Sequence, residues 1–334
     1  MNNTYIRSFV IVPIKNDDGE HFGGVFGFLR SLKSAITKFK PDEVLIAWDG
    51  PKSGLKRKQM FPEYKANRRK DWKRGSVKAF DFMSEQQQSD NFGFQLRRVH
   101  EYLDKFPVKT IQIPYLEADD IIAQYVQYIG GNEAVIYSTD ADFKQLITDK
   151  ILHYNPISKK LLSRDTFVDE KGYEPHNYKI VKTIMGDSSD NIPGIKGIGE
   201  KTLMKLYPSL VDSEEFEFDD LVDNATHILN SGAKGYTKSQ LSKYRQIVEN
   251  EKLLQLNYKL MQLNDVDISV QTKDVILSVF NDSPHTFDRF NLRKMFLEDK
   301  LWGAVKNFNI WSNTFSGLQL GKGKSFWEDK NESD

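Results

Sequence analysis

Acidic side chains recur in four short segments of this 334-residue chain, at spacings that could bring their oxygens together. Asp140 and Asp142 alternate just after an apolar run, so both can face one point. Hard divalent cations such as Mg²⁺, Mn²⁺ and Ca²⁺ take oxygen ligands of this kind. The chain has no cysteine and six scattered histidines, which argues against zinc. The candidate metal ligands are Asp49, Glu117, Asp119, Asp120, Asp140, Asp142, Asp187 and Asp190.

Each acidic segment also has an ordinary structural explanation when it is taken alone. Acids at the start of a helix, as predicted for 117–120, are favoured by the helix dipole, and the other pairs could be solvated turns. Leu116 and Ile121 flank the first segment, however, and three acids among apolar residues are unfavourable unless a cation compensates them. Together the segments favour two Mg²⁺ ions about 4 Å apart, which can activate water and stabilise the leaving oxygen of a phosphodiester.

A glycine-punctuated turn, Gly194 to Gly199, comes after the last acidic pair, and Lys201 begins a predicted helix after it. Backbone amides at such a turn suit a nucleic-acid phosphate. Net charge is zero, with 47 basic and 47 acidic residues, yet Lys52 to Lys78 contains eleven Lys and Arg against two acids. A basic surface beside an acidic pocket cancels in the sum but not in space. These features predict an enzyme that cuts nucleic acid.

Apolar runs at 44–48, 108–113 and 134–138 alternate with helical patterns at 24–39, 94–105 and 117–129. This alternation predicts an α/β fold with a mostly parallel central sheet flanked by helices. Ligands of such sheets bind beyond the carboxyl ends of the strands, where Asp49 and Asp140 lie.

The domain organisation is inferred from a change of pattern near residue 175. We expect an α/β core over 1–175, a helical DNA-binding region over 176–313 and a disordered tail over 314–334. Helix candidates in the second region are 176–185, 201–206 and 239–263. The run Phe9 to Ile14 predicts an edge strand, because Pro13 cannot donate to a ladder. No apolar run of about 18 residues predicts a membrane span and no signal peptide is recognised, so a cytoplasmic protein is expected.

The same motifs give the chain a specific family resemblance. From about residue 2 to 263 it resembles the 5′ nuclease, or flap endonuclease, family, most closely the bacteriophage 5′–3′ exonuclease and RNase H members. The motifs are Trp48-Asp49-Gly50, Pro62-Glu63-Tyr64-Lys65-Ala66-Asn67-Arg68, Glu117-Ala118-Asp119-Asp120, Ser138-Thr139-Asp140-Ala141-Asp142, and Gly186-Asp187-Ser188-Ser189-Asp190-Asn191 with its glycine turn.

The resemblance implies a PIN-like core and roles for individual residues. Asp49, Glu117, Asp119 and Asp140 would serve a first metal site. Asp142, Asp187 and Asp190 would serve a second, with Asp120 acting partly through water. Mg²⁺ is the implied ion, in two or more copies, and Mn²⁺ could replace it. Lys65 and Arg68 would be catalytic, steering the scissile phosphate by transition-state electrostatics.

The resemblance also implies how DNA is held. A helix–three-turn–helix, of the helix-hairpin-helix type, at about 187–207 would grip duplex backbone, with a K⁺ ion on its carbonyls. A helical arch at about 65–94 would admit single-stranded 5′ ends, its cations and its aromatic residues Trp72, Phe80 and Phe82 contacting the strand; a solvated basic loop is the alternative. The implied DNA-binding residues are Lys182, Gly194, Lys196, Gly197, Gly199, Lys201, Arg69, Lys73 and Arg74.

The start of the chain departs from the family pattern. The family begins with a buried strand ending in a metal-bridging Asp, and Asn2 to Arg7 resembles the segment directly after that Asp. We expect the strand and its carboxylate to lie before Met1. A start assigned too late, a separate polypeptide and a true shortened form with weak catalysis are the explanations left open. Without that strand, this polypeptide is expected to be less stable than its relatives.

The expected function is a Mg²⁺-dependent, structure-specific 5′–3′ exonuclease or flap endonuclease with RNase H activity, removing RNA primers in the DNA replication of a bacteriophage. Its partners would be branched or nicked DNA and RNA–DNA hybrid, with a single-strand DNA-binding protein or sliding clamp as protein partner and a monomeric state. The main alternative is a catalytically impaired protein that binds branched DNA. A single-strand ribonuclease is a weaker alternative, because the glycine turn holds duplex.

Overall fold

The computed structural model describes residues 2–67, 83–129, 132–211, 216–232 and 235–320, and the chain divides into two compact units. The first unit comprises 1–50, 70–114 and 275–334, and the second comprises 51–69 and 115–274. Each unit therefore draws on distant parts of the sequence. No helix in the described ranges is both long and apolar enough to cross a lipid bilayer.

The first unit is a short parallel sheet covered by helices. Its elements are α1 (Asn2–Ile11), α2 (Gly23–Phe39), β1 (Leu45–Trp48), α4 (Glu85–Leu103), β2 (Lys109–Gln112), α13 (Arg289–Glu298) and α14 (Phe308–Leu320), with α3 (Leu55–Met60) of the second unit lying between β1 and α4 in the chain.

Strand β1 pairs in parallel with β2, and Leu45 is in register with Lys109. The Trp48 ring at the end of β1 is buried and stacks on Phe28 of α2, their centroids 5.5 Å apart. Asp49 therefore comes after a strand whose end is anchored in the core.

The second unit combines a three-stranded sheet with a helical region. In β3 (Ala134–Tyr137), β4 (Ile151–Asn155) and β5 (Lys160–Leu162), the strand order is β3-β4-β5, parallel and then antiparallel. The remaining helices, of which α12 runs across the unit boundary, are α5 (Ala118–Tyr128), α6 (Arg164–Lys171), α7 (Tyr178–Met185), α8 (Glu200–Leu206), α9 (Phe218–Asn230), α10 (Lys238–Glu249), α11 (Glu251–Met261) and α12 (Val270–Asn281).

The predicted α/β class and the three predicted strands are confirmed, with ends that differ by at most one residue. The predicted helix over 239–263 is two helices, because the backbone leaves the helical conformation at Asn250, with φ −105° and ψ 18°. The prediction of an edge strand at Phe9 to Ile14 is wrong. Helix α1 runs through Ile11, since Tyr5 and Phe9 lie one turn apart and both are buried, which is a helical period.

The C-terminal segment is also more ordered than its composition predicts. The expected tail begins at residue 314, but α14 continues to Leu320, with Phe315 and Leu318 buried in the core of the first unit. Composition was a poor guide here, because two well-spaced apolar side chains suffice to hold one helix face. The rest of that predicted tail, 321–334, lies outside the described residues.

Asp299 ties the C-terminal helices to the rest of the first unit. The Arg98 side chain of α4 donates from Nε to both Asp299 carboxylate oxygens at 2.9 Å, and the Tyr102 hydroxyl donates to Oδ2 at 2.7 Å. Phe296, one turn before, is fully buried and packs edge-on against Tyr102. The core of this unit therefore depends on residues near the end of the chain.

Replacing Phe296 by Ala should lower the free energy of unfolding of the first unit by about 3–5 kcal/mol, because the substitution opens a cavity in a packed core. Thermal unfolding of the full chain, followed by tryptophan fluorescence, measures the loss. Phe290→Ala is the matched control on the same helix: Phe290 is 79% exposed, and its loss should change stability by less than about 0.5 kcal/mol. Equal effects of the two substitutions would contradict this packing.

Candidate active site

The first acidic segment begins helix α5 as predicted. Glu117 precedes the helix in extended backbone, and its amide donates to Asp120 Oδ2 at 3.4 Å. The Asp120 amide in turn donates to Asp119 Oδ1 at 2.9 Å. Glu117 and Asp120 are 5% and 6% exposed, so their carboxylates need compensation from the protein or from a bound cation.

Arg57 of α3 provides part of that compensation. Its Nη1 donates to Glu117 Oε2 at 2.8 Å and to Asp120 Oδ2 at 2.9 Å, and its Nη2 donates to Asp120 Oδ1 at 2.7 Å. Its Nε donates to the Leu260 carbonyl at 3.1 Å. The guanidinium is buried with the acids, and its planar fork suits the two carboxylates better than a lysine would.

Tyr64 and Lys65 approach Glu117 from a turn after α3. The Tyr64 hydroxyl donates to Glu117 Oε2 at 3.0 Å, and Lys65 Nζ donates to Oε1 at 2.7 Å. Lys65 Nζ also lies 3.9 Å from Asp190 Oδ2, and the Lys65 amide donates to the Asp190 carbonyl at 2.8 Å. Lys65 therefore connects the α5 acids with the turn that contains Asp190.

A second acidic cluster forms around Lys182 of α7. Lys182 Nζ lies 2.9 Å from Asp142 Oδ1 and 2.5 Å from Asp187 Oδ2. Asp140 Oδ1 accepts from the Asp142 amide at 2.9 Å, so the acids after β3 are joined by one short turn. Ser189 donates to Asp187 Oδ1 from both its amide and its hydroxyl at 2.7 Å. The predicted phosphate contact Lys182 is thus an ion-pair partner of two predicted metal ligands.

Burial and charge move the pKa values of these acids in different directions. Burial, with help from Asp120 and Glu117, raises the pKa of Asp119 to about 8 against the pull of Arg57. Burial raises the pKa of Asp142 to about 6 although Lys182 opposes it. Burial would also raise the pKa of Glu117, but Arg57 and Lys65 together hold it below its ordinary value. Burial is the main cause of both increases, so a cation bound beside Asp119 and Asp142 would lower their pKa values again.

The oxygen donors fit a hard divalent cation in their chemistry. Within the ranges that the structure describes, no three acidic or histidine side chains lie close enough together to hold a metal ion. Protein cations stand between the acids instead. Asp49 lies directly after β1 in the first unit, where its carbonyl accepts from Gln112 Nε2 at 2.8 Å. The metal-ligand roles of the eight acids accordingly stay predictions.

The glycine turn packs tightly against the end of α7. A Cβ on Gly194 would lie 2.1 Å from the Met185 carbonyl oxygen, so only glycine fits there. Gly197 has φ +80°, which also favours glycine. Asn257 Nδ2 donates to the Thr183 and Pro193 carbonyls at 3.1 and 2.7 Å and holds the turn to α11. The predicted DNA contacts Lys196, Gly197, Gly199 and Lys201 are exposed on the outside of this turn.

Several residues with predicted roles lie outside the part of the chain that the structure describes. Arg68, proposed as catalytic, lies outside the described residues. So do Arg69, Lys73 and Arg74, proposed as DNA contacts, and the aromatic residues Trp72, Phe80 and Phe82 of the expected arch.

Three residues of the site, Arg57, Tyr64 and Asn257, were not predicted from the sequence. Arg57 belongs to the basic run from Lys52, and nothing in the sequence distinguishes this buried cation from its exposed neighbours Lys56 and Lys58. Tyr64 lies in the motif from Pro62 to Arg68, but the sequence did not indicate a role for its hydroxyl. Asn257 lies in a helical pattern where a polar residue on the buried face was the available signal.

Replacing Arg57 by Met keeps most of the apolar stem but leaves two buried carboxylates without their partner. The free energy of unfolding should fall by about 3–5 kcal/mol. The loss should be smaller at about pH 5 than at about pH 8, because without Arg57 burial raises the pKa of Glu117 more than the remaining partners lower it, and this carboxyl takes up a proton as the pH falls. Denaturant unfolding at both pH values measures it. Lys58→Met, next in sequence and exposed, is the control; a similar loss there would contradict the role given to Arg57.

Comparisons with known proteins agree with this architecture. The family model described as the 5′-3′ exonuclease N-terminal resolvase-like domain matches residues 1–173, and the one described as the 5′-3′ exonuclease C-terminal SAM fold matches residues 173–283. A 5′-3′ exonuclease of Bacillus subtilis is 32% identical over 282 residues, covering 82% of this chain and 81% of the relative. One from Aquifex aeolicus is 28% identical over 277 residues, covering 81% and 82%.

Solved structures share the fold. The bacteriophage T5 D15 flap endonuclease, in a complex with DNA and metal ions, has a TM-score of 0.58 at 21% identity, covering 77% of this chain and 91% of its own. Human GEN1 with Holliday junction DNA has a TM-score of 0.54 at 12% identity, covering 95% and 70%. The α/β core followed by a helical SAM-like region is the 5′ nuclease fold. The chain belongs to the 5′-3′ exonuclease family.

Proposed function

We propose that this chain is a Mg²⁺-dependent, structure-specific 5′–3′ exonuclease and flap endonuclease. It hydrolyses phosphodiesters in 5′ flaps, nicked duplex and RNA primers during DNA replication, in the cytoplasm of a bacteriophage-infected host. The observation that carries the proposal is the position of Lys65. Its ammonium lies on Glu117 and near Asp190, so it stands between one acidic cluster and the turn that leads into the exposed glycine turn.

Two groups of acids would hold the metal ions. Glu117, Asp119 and Asp140, with Asp49 assigned by family resemblance, would serve the first site, and Asp142, Asp187 and Asp190 the second, with Asp120 acting partly through water. A divalent ion bound there supplies an activated water and stabilises charge on the leaving oxygen. Mg²⁺ is the proposed working ion and Mn²⁺ can replace it, because an all-oxygen donor set suits both of these hard cations.

The chain's own cations complete the site. Lys65 and Lys182 each present an ammonium with three N–H donors, of which neighbouring carboxylates engage at most two, so each can also donate to a phosphate oxygen. Fixed cations at the scissile phosphate stabilise the charge that develops there in the transition state. Tyr64 donates to the same Glu117 oxygen as Arg57 and limits the rotation of that carboxylate. Arg57 and Tyr64 are positioning residues.

The glycine turn would bind duplex backbone at a fixed distance from these acids. Asp190 and Gly194 are four residues apart in one folded segment, and Asn257 clamps the turn to α11. A duplex held at Gly194 to Lys201 would therefore present one particular phosphodiester to the acids. A K⁺ ion on the turn carbonyls is part of this proposal, as are a single-strand DNA-binding protein or sliding clamp as partner and a monomeric state.

A second candidate function is suggested by the ion pairs that protein cations form with the predicted metal ligands. Arg57 and Lys182 occupy carboxylates that the nuclease proposal assigns to metal ions. If these pairs persist when Mg²⁺ is present, the chain would bind branched DNA without cutting it. Binding and cleavage measured on the same substrate separate the two candidates.

Asp140→Asn should reduce Mg²⁺-dependent cleavage of a labelled 5′-flap duplex by at least about 100-fold, the scale on which loss of one charge-stabilising group slows other enzymes. The same substrate with a nick, or with an RNA 5′ segment, tests the proposed range. Product should be absent in EDTA. Asp165→Asn, an exposed acid at the start of α6, is the matched control and should cut at the wild-type rate.

Tight binding of the flap duplex by the wild-type chain, with no product at any Mg²⁺ or Mn²⁺ concentration, would contradict the nuclease proposal. That result would favour the binding protein instead.

A further inference from the structure

Helix α10 brings a lysine to the glycine turn that neither the motifs nor the basic run singled out. Lys243 Nζ donates to the Gly197 carbonyl at 3.2 Å, although the two residues are 46 positions apart in sequence. Gly197 is exposed and has space around it, since a Cβ there would meet nothing within 4 Å. This hydrogen bond therefore lies at the exposed surface of the turn, and Lys243 itself is half-buried.

The position of Lys243 is built into the fold. The next residue, Tyr244, is buried, and its hydroxyl donates to the Leu206 carbonyl at the end of α8 at 2.5 Å. A second buried residue, Ile247, lies one turn further along α10. The helix begins at a capping box between Thr237 and Gln240. Because α10 is fixed against α8 by these contacts, the Lys243 side chain starts from a rigid backbone close to the turn.

Several lysines lie at the turn among the described residues. Lys196 and Lys201 are exposed on the turn and on α8. The acid between them, Glu200, is already engaged, since it accepts from the Tyr173 hydroxyl at 2.6 Å and from Lys171 Nζ at 2.9 Å. Lys243 adds a third ammonium to this surface. Three lysines beside an acid that is already paired form the electrostatic pattern of a polyanion-binding surface.

The chemistry of the ammonium allows it to serve the turn and a ligand together. A lysine ammonium has three donors and no acceptor. One donor reaches the Gly197 carbonyl, which leaves two for an anionic oxygen. We propose that Lys243 binds a backbone phosphate of duplex DNA held at the glycine turn, its ammonium bridging the Gly197 carbonyl and that phosphate. This inference deepens the proposed function and rests on it.

A purely structural role is the competing explanation, in which Lys243 only ties α10 to the turn. The two explanations differ in the salt dependence of binding. A lysine that neutralises one phosphate contributes about 0.9 to the slope of log K against log salt concentration, and removing it reduces the slope by that amount. A structural lysine changes stability or affinity but leaves the number of neutralised phosphates, and so the slope, unchanged.

The test is fluorescence anisotropy of a labelled 5′-flap duplex in EDTA, with full-length protein, from about 50 to 200 mM KCl. Lys243→Met should lower the slope by about 0.9 and weaken binding about 5- to 10-fold near 100 mM salt. Lys243→Arg should keep the wild-type slope, because it keeps the charge. Lys238→Met on the same helix is the control: it lies roughly 140° around the helix axis from Lys243 and should match wild type.

A wild-type slope for Lys243→Met, with or without weaker binding or a lower melting temperature, would overturn the role of Lys243 and leave the proposed function intact. Failure of the wild-type chain to bind any duplex in a salt-dependent way would overturn the proposed function, and the role of Lys243 with it.

Discussion

The carboxylates of Glu117 and Asp120 are buried, and the transfer of each from water to the protein interior would be strongly unfavourable without a positive partner. Arg57 contacts both, and its Nε reaches the Leu260 carbonyl on a third segment. One guanidinium thus joins α3, the start of α5 and the end of α11, which are far apart in sequence. The placement of the acids at α5 depends on this cation, because without it the helix start would have no reason to remain buried.

Two lysines of the second unit also pair with acidic side chains. Lys65 connects Glu117 with the turn of Asp190, and Lys182 joins Asp142 to Asp187. On the outer side of the glycine turn the described residues include Lys196, Lys201 and Lys243, and Glu200 beside them is paired with Tyr173 and Lys171. The second unit therefore contains both buried acidic side chains and, at the glycine turn, exposed basic side chains. A phosphodiester substrate needs both, since metal ions bound by acids act on the phosphate while lysines hold the neighbouring backbone.

The fold was largely accessible from sequence because strand and helix patterns alternate over the first part of the chain. Phe9 to Ile14 was misread because a short apolar run does not reveal its period, and only the burial of Tyr5 and Phe9 shows it to be helical. The division of 239–263 at Asn250 and the helix through Leu320 were not predictable from composition, since both depend on which side chains find a core.

Some features of the candidate site were likewise predictable from the sequence, and others were not. The strand ends and the helix start predicted at the acidic segments are present in the structure, and the glycine turn was recognised from its spacing. Arg57 and Lys243 were missed because sequence gives the charge of a side chain but not its burial or its distant partner. The pairing of Lys182 with Asp142, 40 positions apart, likewise depends on how α7 packs and on no local pattern.

Anomalous diffraction from crystals grown with Mn²⁺ and an uncleavable 5′-flap duplex tests the central claim most directly. We predict Mn²⁺ within about 2.1 Å of carboxylate oxygens in both acidic clusters, with Lys182 moved away from Asp142 and Asp187 toward the DNA phosphate. Absence of anomalous signal at both clusters, with the Arg57 and Lys182 ion pairs intact beside bound DNA, would contradict it.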